Sequence, residues 1–156
     1  MMPATVSLPS NVNSAEPLVA ALRNELSWLS CVRPNILLVG DRLSGDAELR
    51  DLQTLYRDPV IVWHCGRLPL ALPSLELANT LILHDVASLS IGEQQMLSDW
   101  LSGESRRPQV VSTSREALYP LVTSGGFLAS LYYRLNVIYV DLRASSATLE
   151  PDAERR

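Results

Sequence analysis

Five short apolar runs, separated from one another by helical stretches or by loops, constrain the fold of this 156-residue chain more than any other feature. Each run is apolar at consecutive residues, as in strands that are buried on both faces. Strands of this kind that alternate with helices form a parallel sheet with helices on both sides. We therefore predict a three-layer α/β/α domain with strands at Asn35–Val39, Pro59–Cys65, Thr80–Asp85, Gln109–Ser112 and Asn136–Val140.

Helices are indicated by apolar spacing and by capping residues. The segment Ser14–Leu29 carries leucines on one helical face, and Ser90 and Glu93 have the spacing of a capping box. Gly66–Ala78 is short and contains two prolines, so we predict a loop there. The predicted helices are Ser14–Leu29, Ala47–Tyr56, a helix that opens at Ser90 and runs through Leu101, Ser114–Thr123 and Phe127–Arg134.

The segment after the first predicted strand has the glycine spacing of a Walker A phosphate loop but lacks its phosphate-binding residues. Gly40 to Ala47 reads G-D-R-L-S-G-D-A, and a helical stretch follows. A working loop ends in Gly-Lys-Ser/Thr, in which the lysine reaches the terminal phosphates and the hydroxyl binds Mg²⁺. Here Asp46 and Ala47 follow Gly45. The sequence therefore predicts a phosphate loop that no longer binds phosphate in the usual way.

Charge and composition argue against several classes of function. The formal net charge is −4, whereas a DNA-binding domain usually shows a basic stripe. No apolar run has the length of a membrane span, and no signal peptide is visible. Cys31 and Cys65 form no spaced framework, which is typical of reduced cytosolic thiols. We therefore expect a cytoplasmic protein without direct nucleic acid or membrane contacts.

Four segments carry a resemblance to one family. Phe127 to Val137, F-L-A-S-L-Y-Y-R-L-N-V, is similar to F-R-E-D-L-Y-Y-R-L-N-V. Asn79 to Leu101 is similar to G-T-L-F-L-D-E-I-x-x-L-S-x-x-x-Q-x-x-L-L-x-x-L. Gln109 to Arg115 resembles a sensor strand that ends in T-N-R, and Val60 to Leu68 resembles F-x-x-x-N-C-A-A-L. Together they resemble the AAA+ domain of bacterial sigma-54-dependent transcription activators, which implies a five-stranded parallel sheet in the order 5-1-4-3-2.

The chain departs from this family at its functional positions. In the Walker B position, His84 and Asp85 stand where the family has Asp-Glu, and Ser114 replaces the sensor asparagine. Leu128 replaces the first of two arginines at the subunit boundary, which leaves Arg134 as a candidate subunit contact. The resemblance thus implies a degenerate nucleotide site made of Gly40, Asp41, Ser44, Gly45, Asp46, Ala47, His84, Asp85 and Ser114.

Two parts of the family domain have no counterpart in this sequence. Between Cys65 and Thr80 the family carries an insertion with the G-A-F-T-G-A loop, which grips the sigma factor, and only a short loop stands here. The helical lid after the fifth strand also has no matching sequence. We therefore expect a flexible tail over residues 1–13, a truncated AAA+-like domain over 14–142 and a flexible tail over 143–156.

The aspartate at position 46 reverses the charge that faces an ATP phosphate. At about 4 Å and an effective dielectric constant of about 20, one pair of unit charges is worth about 4 kcal/mol. Each ~1.4 kcal/mol changes affinity tenfold. Without the Walker B aspartate and the sensor asparagine, hydrolysis also lacks a metal scaffold and an oriented water. We therefore predict a pseudo-ATPase without a cofactor, and leave weak ATP or ADP binding open.

His64 and His84 end two strands that are neighbours in the implied order, and Cys65 and Asp85 follow them. Such side chains bind metals or act as nucleophiles elsewhere, so a repurposed metal or Cys/His site at the sheet rim is one alternative. Adjacent strand residues point to opposite faces, so His64 and Cys65 do not easily face one ligand. We predict no metal, and two rim histidines bonded to loops or water.

The leading hypothesis is a non-catalytic regulatory or assembly protein that acts in transcription regulation through protein contacts. Its partner would be a full-length AAA+ activator or a second copy of the chain. For Arg134, a subunit contact and a solvated or locally paired side chain are equal alternatives. The competing hypothesis is a nucleotide-responsive transcription regulator that binds ATP weakly.

Overall fold

The computed structural model describes residues 4–5, 33–74, 77–103 and 108–143 of the chain. The helix predicted for Ser14–Leu29 lies outside the described residues, and so does most of both predicted tails. The domain boundaries of the sequence analysis therefore stay predictions.

All five predicted strands are present, with small shifts of their ends, and a sixth strand precedes them. The second to sixth strands each fall on one apolar run of the sequence, and β5 extends two residues beyond its prediction. The strands are β1 (Ala4–Thr5), β2 (Ile36–Val39), β3 (Val60–His64), β4 (Thr80–His84), β5 (Gln109–Ser114) and β6 (Ile138–Asp141).

In the described part of the chain, four α-helices lie between the strands. They are α1 (Arg42–Asp51), α2 (Ile91–Ser102), α3 (Tyr119–Ser124) and α4 (Ala129–Leu135), with 3₁₀ turns at Leu52–Leu55 and Val86–Ser88. Two predicted helix starts were wrong: α1 begins five residues before Ala47, and α3 begins five residues after Ser114. The first error arises because Asp41 caps the helix, and the second because β5 continues through Ser114 before the chain turns.

The predicted capping box of α2 is confirmed. The Ser90 hydroxyl accepts a hydrogen bond from the amide of Glu93, and the Glu93 carboxylate accepts one from the amide of Ser90. The same carboxylate accepts a second hydrogen bond from the amide of Leu70 at 2.9 Å. The Nε1 of Trp100 donates to the carbonyl of Pro73 at 3.0 Å. The described part of the predicted loop between β3 and β4 is therefore held against α2.

The sheet is parallel, and its strand order is β1-β6-β2-β5-β4-β3. Without β1, this is the predicted order 5-1-4-3-2. The short strand Ala4–Thr5 pairs with Ile138 and Tyr139 of β6. Those two residues fall in a segment expected to be a tail, where no apolar run marks a strand. Because β6 is an edge of the five-stranded sheet, two residues suffice to extend it.

Two apolar clusters lie on opposite faces of the sheet, so the three-layer architecture is confirmed. The larger cluster joins Leu97 and Leu101 of α2 and Leu131 of α4 to Leu37 and Leu83 of the sheet. Burial of such side chains is the main driving force for folding.

The smaller cluster lies under α1, where Leu49 and the following Leu52 pack on Leu38, Val111 and Ile138 of the sheet. Residues of one strand alternate between the two clusters, as the pleat requires. Among the described residues, no helix is long and apolar enough to cross a membrane.

Candidate functional site

The carboxyl ends of four strands meet at one edge of the sheet and form a cleft. Parallel α/β sheets bind ligands at this edge, next to the point where the strand order reverses. The cleft has a volume of about 80 Å³, well below the roughly 300–1,000 Å³ of most small-molecule pockets. Its lining consists of Gly40, Asp41, Arg42, Gly45, Asp46, His64, Cys65, Arg67, His84, Asp85, Thr113, Ser114 and Arg115.

The predicted phosphate loop is mostly helix. Asp41 has extended backbone angles, and its carboxylate accepts hydrogen bonds from the amide and the hydroxyl of Ser44 at 2.9 and 2.8 Å. These bonds hold the pKa of Asp41 below its usual range. The amide of Gly45 donates to the carbonyl of Asp41 at 3.0 Å, which is a normal helical bond. Only Gly40 and Asp41 therefore connect β2 to α1.

This geometry uses the backbone groups that would otherwise meet a phosphate. A helix N-terminus binds an anion through amides that lack an intrahelical partner. Here the amides of Ser44 and Gly45 are bonded to Asp41, and the Asp41 carboxylate lies at the helix start. The Asp41 carboxylate thus takes the place that a bound anion would have at the N-terminus of α1.

The two glycines of the loop differ in how closely their surroundings approach. The amide of Gly40 donates to the carbonyl of Ser114 at 2.9 Å, and a Cβ at position 40 would lie 2.8 Å from the Cβ of Leu142. Gly45 is buried, and a Cβ there would contact Thr113 at 3.7 Å. The glycine at position 40 is therefore explained by the close approach of β2 to the segment after β6.

Asp46 lies in the second turn of α1. Its carboxylate is 41% exposed and lies 3.7 Å from Nδ1 of His84 and 3.9 Å from Nε of Arg42. Ala47, which follows it on α1, is half-buried and does not line the cleft. The position that a phosphate-binding lysine would take thus holds a carboxylate that faces an imidazole and a guanidinium.

The two rim histidines lie where the sequence placed them and stack on each other. His64 and His84 are matched across β3 and β4, with ring centroids 4.4 Å apart and an angle of 9° between the planes. Burial and the neighbouring His64 ring lower the pKa of His84, against the opposing effect of Asp46. The stacking places the faces of the two imidazole rings against each other at the rim of the sheet.

Cys65 and Asp85, the other members of the proposed metal or nucleophile site, line the same cleft as the two histidines. Burial, together with Asp85 and Glu93, raises the pKa of the Cys65 thiol to about 12, so the reactive thiolate is scarce at neutral pH. Within the described part of the chain, no three His, Cys, Asp or Glu side chains are grouped so that they could hold a metal.

Asp85 and Ser114 make local hydrogen bonds at the cleft. Asp85 has a left-handed backbone with φ 58°, its amide donates to Oγ1 of Thr113, and its carboxylate accepts from Oγ of Ser88 at 2.8 Å. The buried hydroxyl of Ser114 donates to the carbonyl of Glu116 at 2.6 Å. Both residues fix the turns that follow their strands.

Arg134 lies on α4 and does not line the cleft. Its Nη1 donates to the carbonyl of Leu101, near the C-terminal end of α2, at 3.5 Å. A cation at this end of a helix interacts favourably with the helix dipole. Its own carbonyl accepts a hydrogen bond from Nδ2 of Asn35 at 2.8 Å. The arginine is thus locally paired in this chain, and its role at a subunit boundary stays a prediction.

Seven of the nine predicted site residues line the cleft, and Ser44 and Ala47 do not. Four further residues line the cleft without having been predicted as site residues: Arg42, Arg67, Thr113 and Arg115. A usable signal was present, because these residues follow or end β2, β3 and β5, whose carboxyl ends share one edge. Their inclusion places three guanidinium groups around a cleft that also holds three aspartates.

The fold is similar to solved structures of nucleotide-binding domains. NtrX from Brucella abortus in complex with ATP aligns with a TM-score of 0.64 and 17% identity over 86% of this chain and 39% of the NtrX chain. The P-loop NTPase domain of a sigma-54 transport activator from E. coli aligns with a TM-score of 0.53 and 23% identity over 72% of this chain and 98% of that domain. A RuvB variant from Thermotoga maritima aligns with a TM-score of 0.59 and 16% identity over 83% of this chain and 45% of the RuvB chain.

These likenesses show the fold, and this chain spans 39% of the length of that NtrX chain. No curated protein matches the chain. The family model of the sigma-54 interaction domain matches residues 14–144, which is most of the sequence. The same region holds β2 to β6, the cleft and all the residues that carry the resemblance. The chain therefore belongs to the sigma-54 interaction domain family, a family of P-loop NTPase domains with the AAA+ fold.

Proposed function

We propose that this chain is a non-catalytic regulatory or assembly protein, built on a sigma-54-activator core whose nucleotide site has been lost. It acts in the cytoplasm, in transcription regulation, through contacts with other proteins. Its partner is a full-length AAA+ activator or a second copy of the chain. Without the sigma-contact loop, it has no counterpart of the segment by which the family grips the sigma factor.

One observation carries the proposal: α1 begins at Arg42, so the amides of Ser44 and Gly45 are already bonded to Asp41. A phosphate that reached this point would have to displace the Asp41 carboxylate and unwind the first turn of the helix. It would also meet Asp46 instead of a lysine. The loss of binding thus has a backbone component as well as a charge component.

Asp85 and Ser114, which stand at positions that support hydrolysis in the family, make hydrogen bonds within this chain. The Asp85 carboxylate accepts from Ser88, and the Ser114 hydroxyl donates to Glu116. An imidazole with a lowered pKa stands at His84 in place of a metal-binding carboxylate. Phosphoryl transfer depends on positioned Mg²⁺ and an oriented water, and these side chains do not fit a Mg²⁺–ATP complex.

A second function is favoured by a different observation. Arg42, Arg67 and Arg115 line the cleft, and guanidinium groups are good phosphate ligands. The similar NtrX structure contains ATP. The alternative is therefore a regulator that binds ATP weakly through these arginines and responds to nucleotide without hydrolysing it.

We expect the purified chain to show no Mg²⁺-dependent ATP hydrolysis above the buffer rate. The assay measures phosphate release at saturating ATP for the wild-type protein and for Asp85→Asn, prepared identically. The activity of a contaminating ATPase does not depend on residue 85 of this chain. Equal low rates in both samples therefore support the proposal. Hydrolysis that requires Mg²⁺ and disappears in Asp85→Asn would show a working site and overturn it.

A further inference from the structure

β3 is an outer edge of the sheet, and the hydrogen bonds at its two ends show which of its backbone groups face inward. The amide of Cys65 donates to the carbonyl of His84, and the carbonyl of Pro59 accepts from the amide of Thr80. In a parallel pair, alternate residues bond to the neighbouring strand. The odd-numbered residues of β3 therefore face β4, and the even-numbered ones face away from the sheet.

Three residues, Val60, Val62 and His64, thus direct their N–H and C=O groups outward. These groups make no hydrogen bond among the residues that the structure describes. A row of unpaired backbone groups is a template for another strand, and proteins usually guard such an edge with charges, proline or a bulge. The strand reads V-I-V-W-H, with no charged residue and no proline inside it.

The side chains along this edge are open as well. Val62 is 49% exposed in the middle of the strand. Val60 and Val62 form one wall of a groove of about 750 Å³, whose other wall includes Leu49 of α1 and Tyr56. Val60 packs against the edge of the smaller apolar cluster, whereas Val62 stays largely uncovered in the described chain.

We propose that β3 pairs with β3 of a second copy of this chain, antiparallel and across a two-fold axis centred on Val62. The pairing joins two six-stranded sheets into one continuous sheet. This inference rests on the proposed function, in which protein contacts replace catalysis, and names the surface and the partner that self-association uses.

The positions of the outward groups fit this symmetry. In an antiparallel pair, two directly opposed residues exchange both N–H···O bonds. With Val62 opposite its own copy, Val60 lies opposite His64 of the second copy, and His64 lies opposite Val60. All six outward N–H groups of the two strands then find a carbonyl. Closed two-fold dimers are also the commonest oligomers of soluble proteins.

Charges that flank the strand are complementary in an antiparallel pair. Asp58 and Arg67 are both exposed, two and three residues outside β3. In the dimer, the start of one β3, which Asp58 precedes, meets the end of the other, which Arg67 follows. Within the described chain neither side chain has a salt bridge, so both are available for a contact between the copies. Each such exposed pair adds little energy but favours the antiparallel orientation.

The test is sedimentation equilibrium of the full chain over about 1–500 μM, a range suited to an interface of modest size. Wild type is expected to form dimers at high concentration. Val62→Lys is expected to weaken dimerisation at least about tenfold, because two lysines would face each other at the centre. Ile91→Lys places the same charge on α2, where Ile91 is 48% exposed, and should leave dimerisation unchanged.

Amide hydrogen exchange locates the interface and tests the pairing directly. The amides of Val62 and His64 should become protected only at dimer-forming concentrations, whereas those of Ile61 and Trp63 should be protected throughout. A monomer at every concentration overturns the proposal, and so does a dimer that survives Val62→Lys or leaves the Val62 amide fast. Protection that needs an added protein would assign the edge to a different partner. None of these outcomes changes the ATPase result, so the two proposals fail separately.

Discussion

Gln94→Leu is expected to lower the free energy of unfolding by about 3–5 kcal/mol. Gln94 is fully buried on α2, and its Nε2 donates to the carbonyls of Leu89 and Gly126 at 3.0 and 3.1 Å. Its Oε1 accepts from the amide of Leu128 at 2.8 Å. Leucine has a similar volume but leaves three backbone groups without a partner, and each unmade buried hydrogen bond costs about 1–3 kcal/mol.

The next residue supplies a matched control. Gln95 is exposed, and its side-chain amide donates to the carboxylate of Asp99 at 3.0 Å. Gln95→Leu should change stability by less than about 0.5 kcal/mol. Urea unfolding followed by circular dichroism measures both variants. Equal unfolding midpoints for the two would contradict the role assigned to Gln94.

Glu48→Gln is expected to stabilise the protein at about pH 8 by about 2–3 kcal/mol. The Glu48 side chain is buried on α1, and its Oε2 has no hydrogen-bond partner in the structure. Burial, with a smaller contribution from Asp51, raises the pKa of Glu48 to about 7. Glutamine has nearly the same shape and carries no charge, so it removes the cost of burying a carboxylate.

The pH dependence of this effect follows from the direction of the pKa shift. Below the pKa of the unfolded chain, Glu48 is protonated in both states and costs nothing. As the pH rises towards about 7, the unfolded state ionises and the folded state does not, so the carboxyl group destabilises the fold progressively. The gain from Glu48→Gln should therefore fall below about 1 kcal/mol near pH 4.5.

The exposed Glu116 provides the control for this measurement. Glu116→Gln removes the same charge and should leave stability unchanged within about 0.5 kcal/mol at both pH values. Thermal or urea unfolding of the wild-type protein and the two variants gives the comparison. A gain from Glu48→Gln that is equal at the two pH values would show that ionisation of the buried carboxyl is not its cause.

The sheet was predictable from sequence because its signals are local and strong. β2 and the three central residues of β4 are uninterrupted apolar runs, and burial on both faces explains that pattern. The strand order came from the resemblance and not from periodicity, since parallel strands carry no local signal of their neighbours. β1 was missed because its two residues pair only with the edge strand β6.

The helix starts failed for identifiable physical reasons. At α1, the loop interpretation of Gly40 to Ala47 concealed an N-cap: Asp41 is a favoured N-cap residue, and its carboxylate accepts from the amide of Ser44 in a helix that starts at Arg42. At α3, the chain after Ser114 turns through residues 115–118 before the helix begins at Tyr119, followed by Pro120. At α1, the resemblance to a Walker A loop was thus given more weight than the N-cap residue Asp41.

The candidate site was predictable in its location and less so in its chemistry. The positions of His64 and His84 followed from strand ends in register, but their stacking did not, because it depends on side-chain rotation. The contact between Asp46 and His84 required the correct start of α1, which sets the direction of every side chain on that helix. The three arginines were missed because charged loop residues have no periodic signal.

Calorimetric titration with Mg²⁺–ATP and Mg²⁺–ADP tests the central claim, that a helical turn has replaced the phosphate loop. The account predicts no saturable binding to wild type up to about 1 mM nucleotide. It also predicts none to Asp46→Lys, because a lysine does not release the amides of Ser44 and Gly45 from Asp41. Asp99→Lys on α2 controls for the change in net charge. Saturable binding by wild type would contradict the account, and binding restored by Asp46→Lys alone would show that charge, and not the helix, is what blocks the nucleotide.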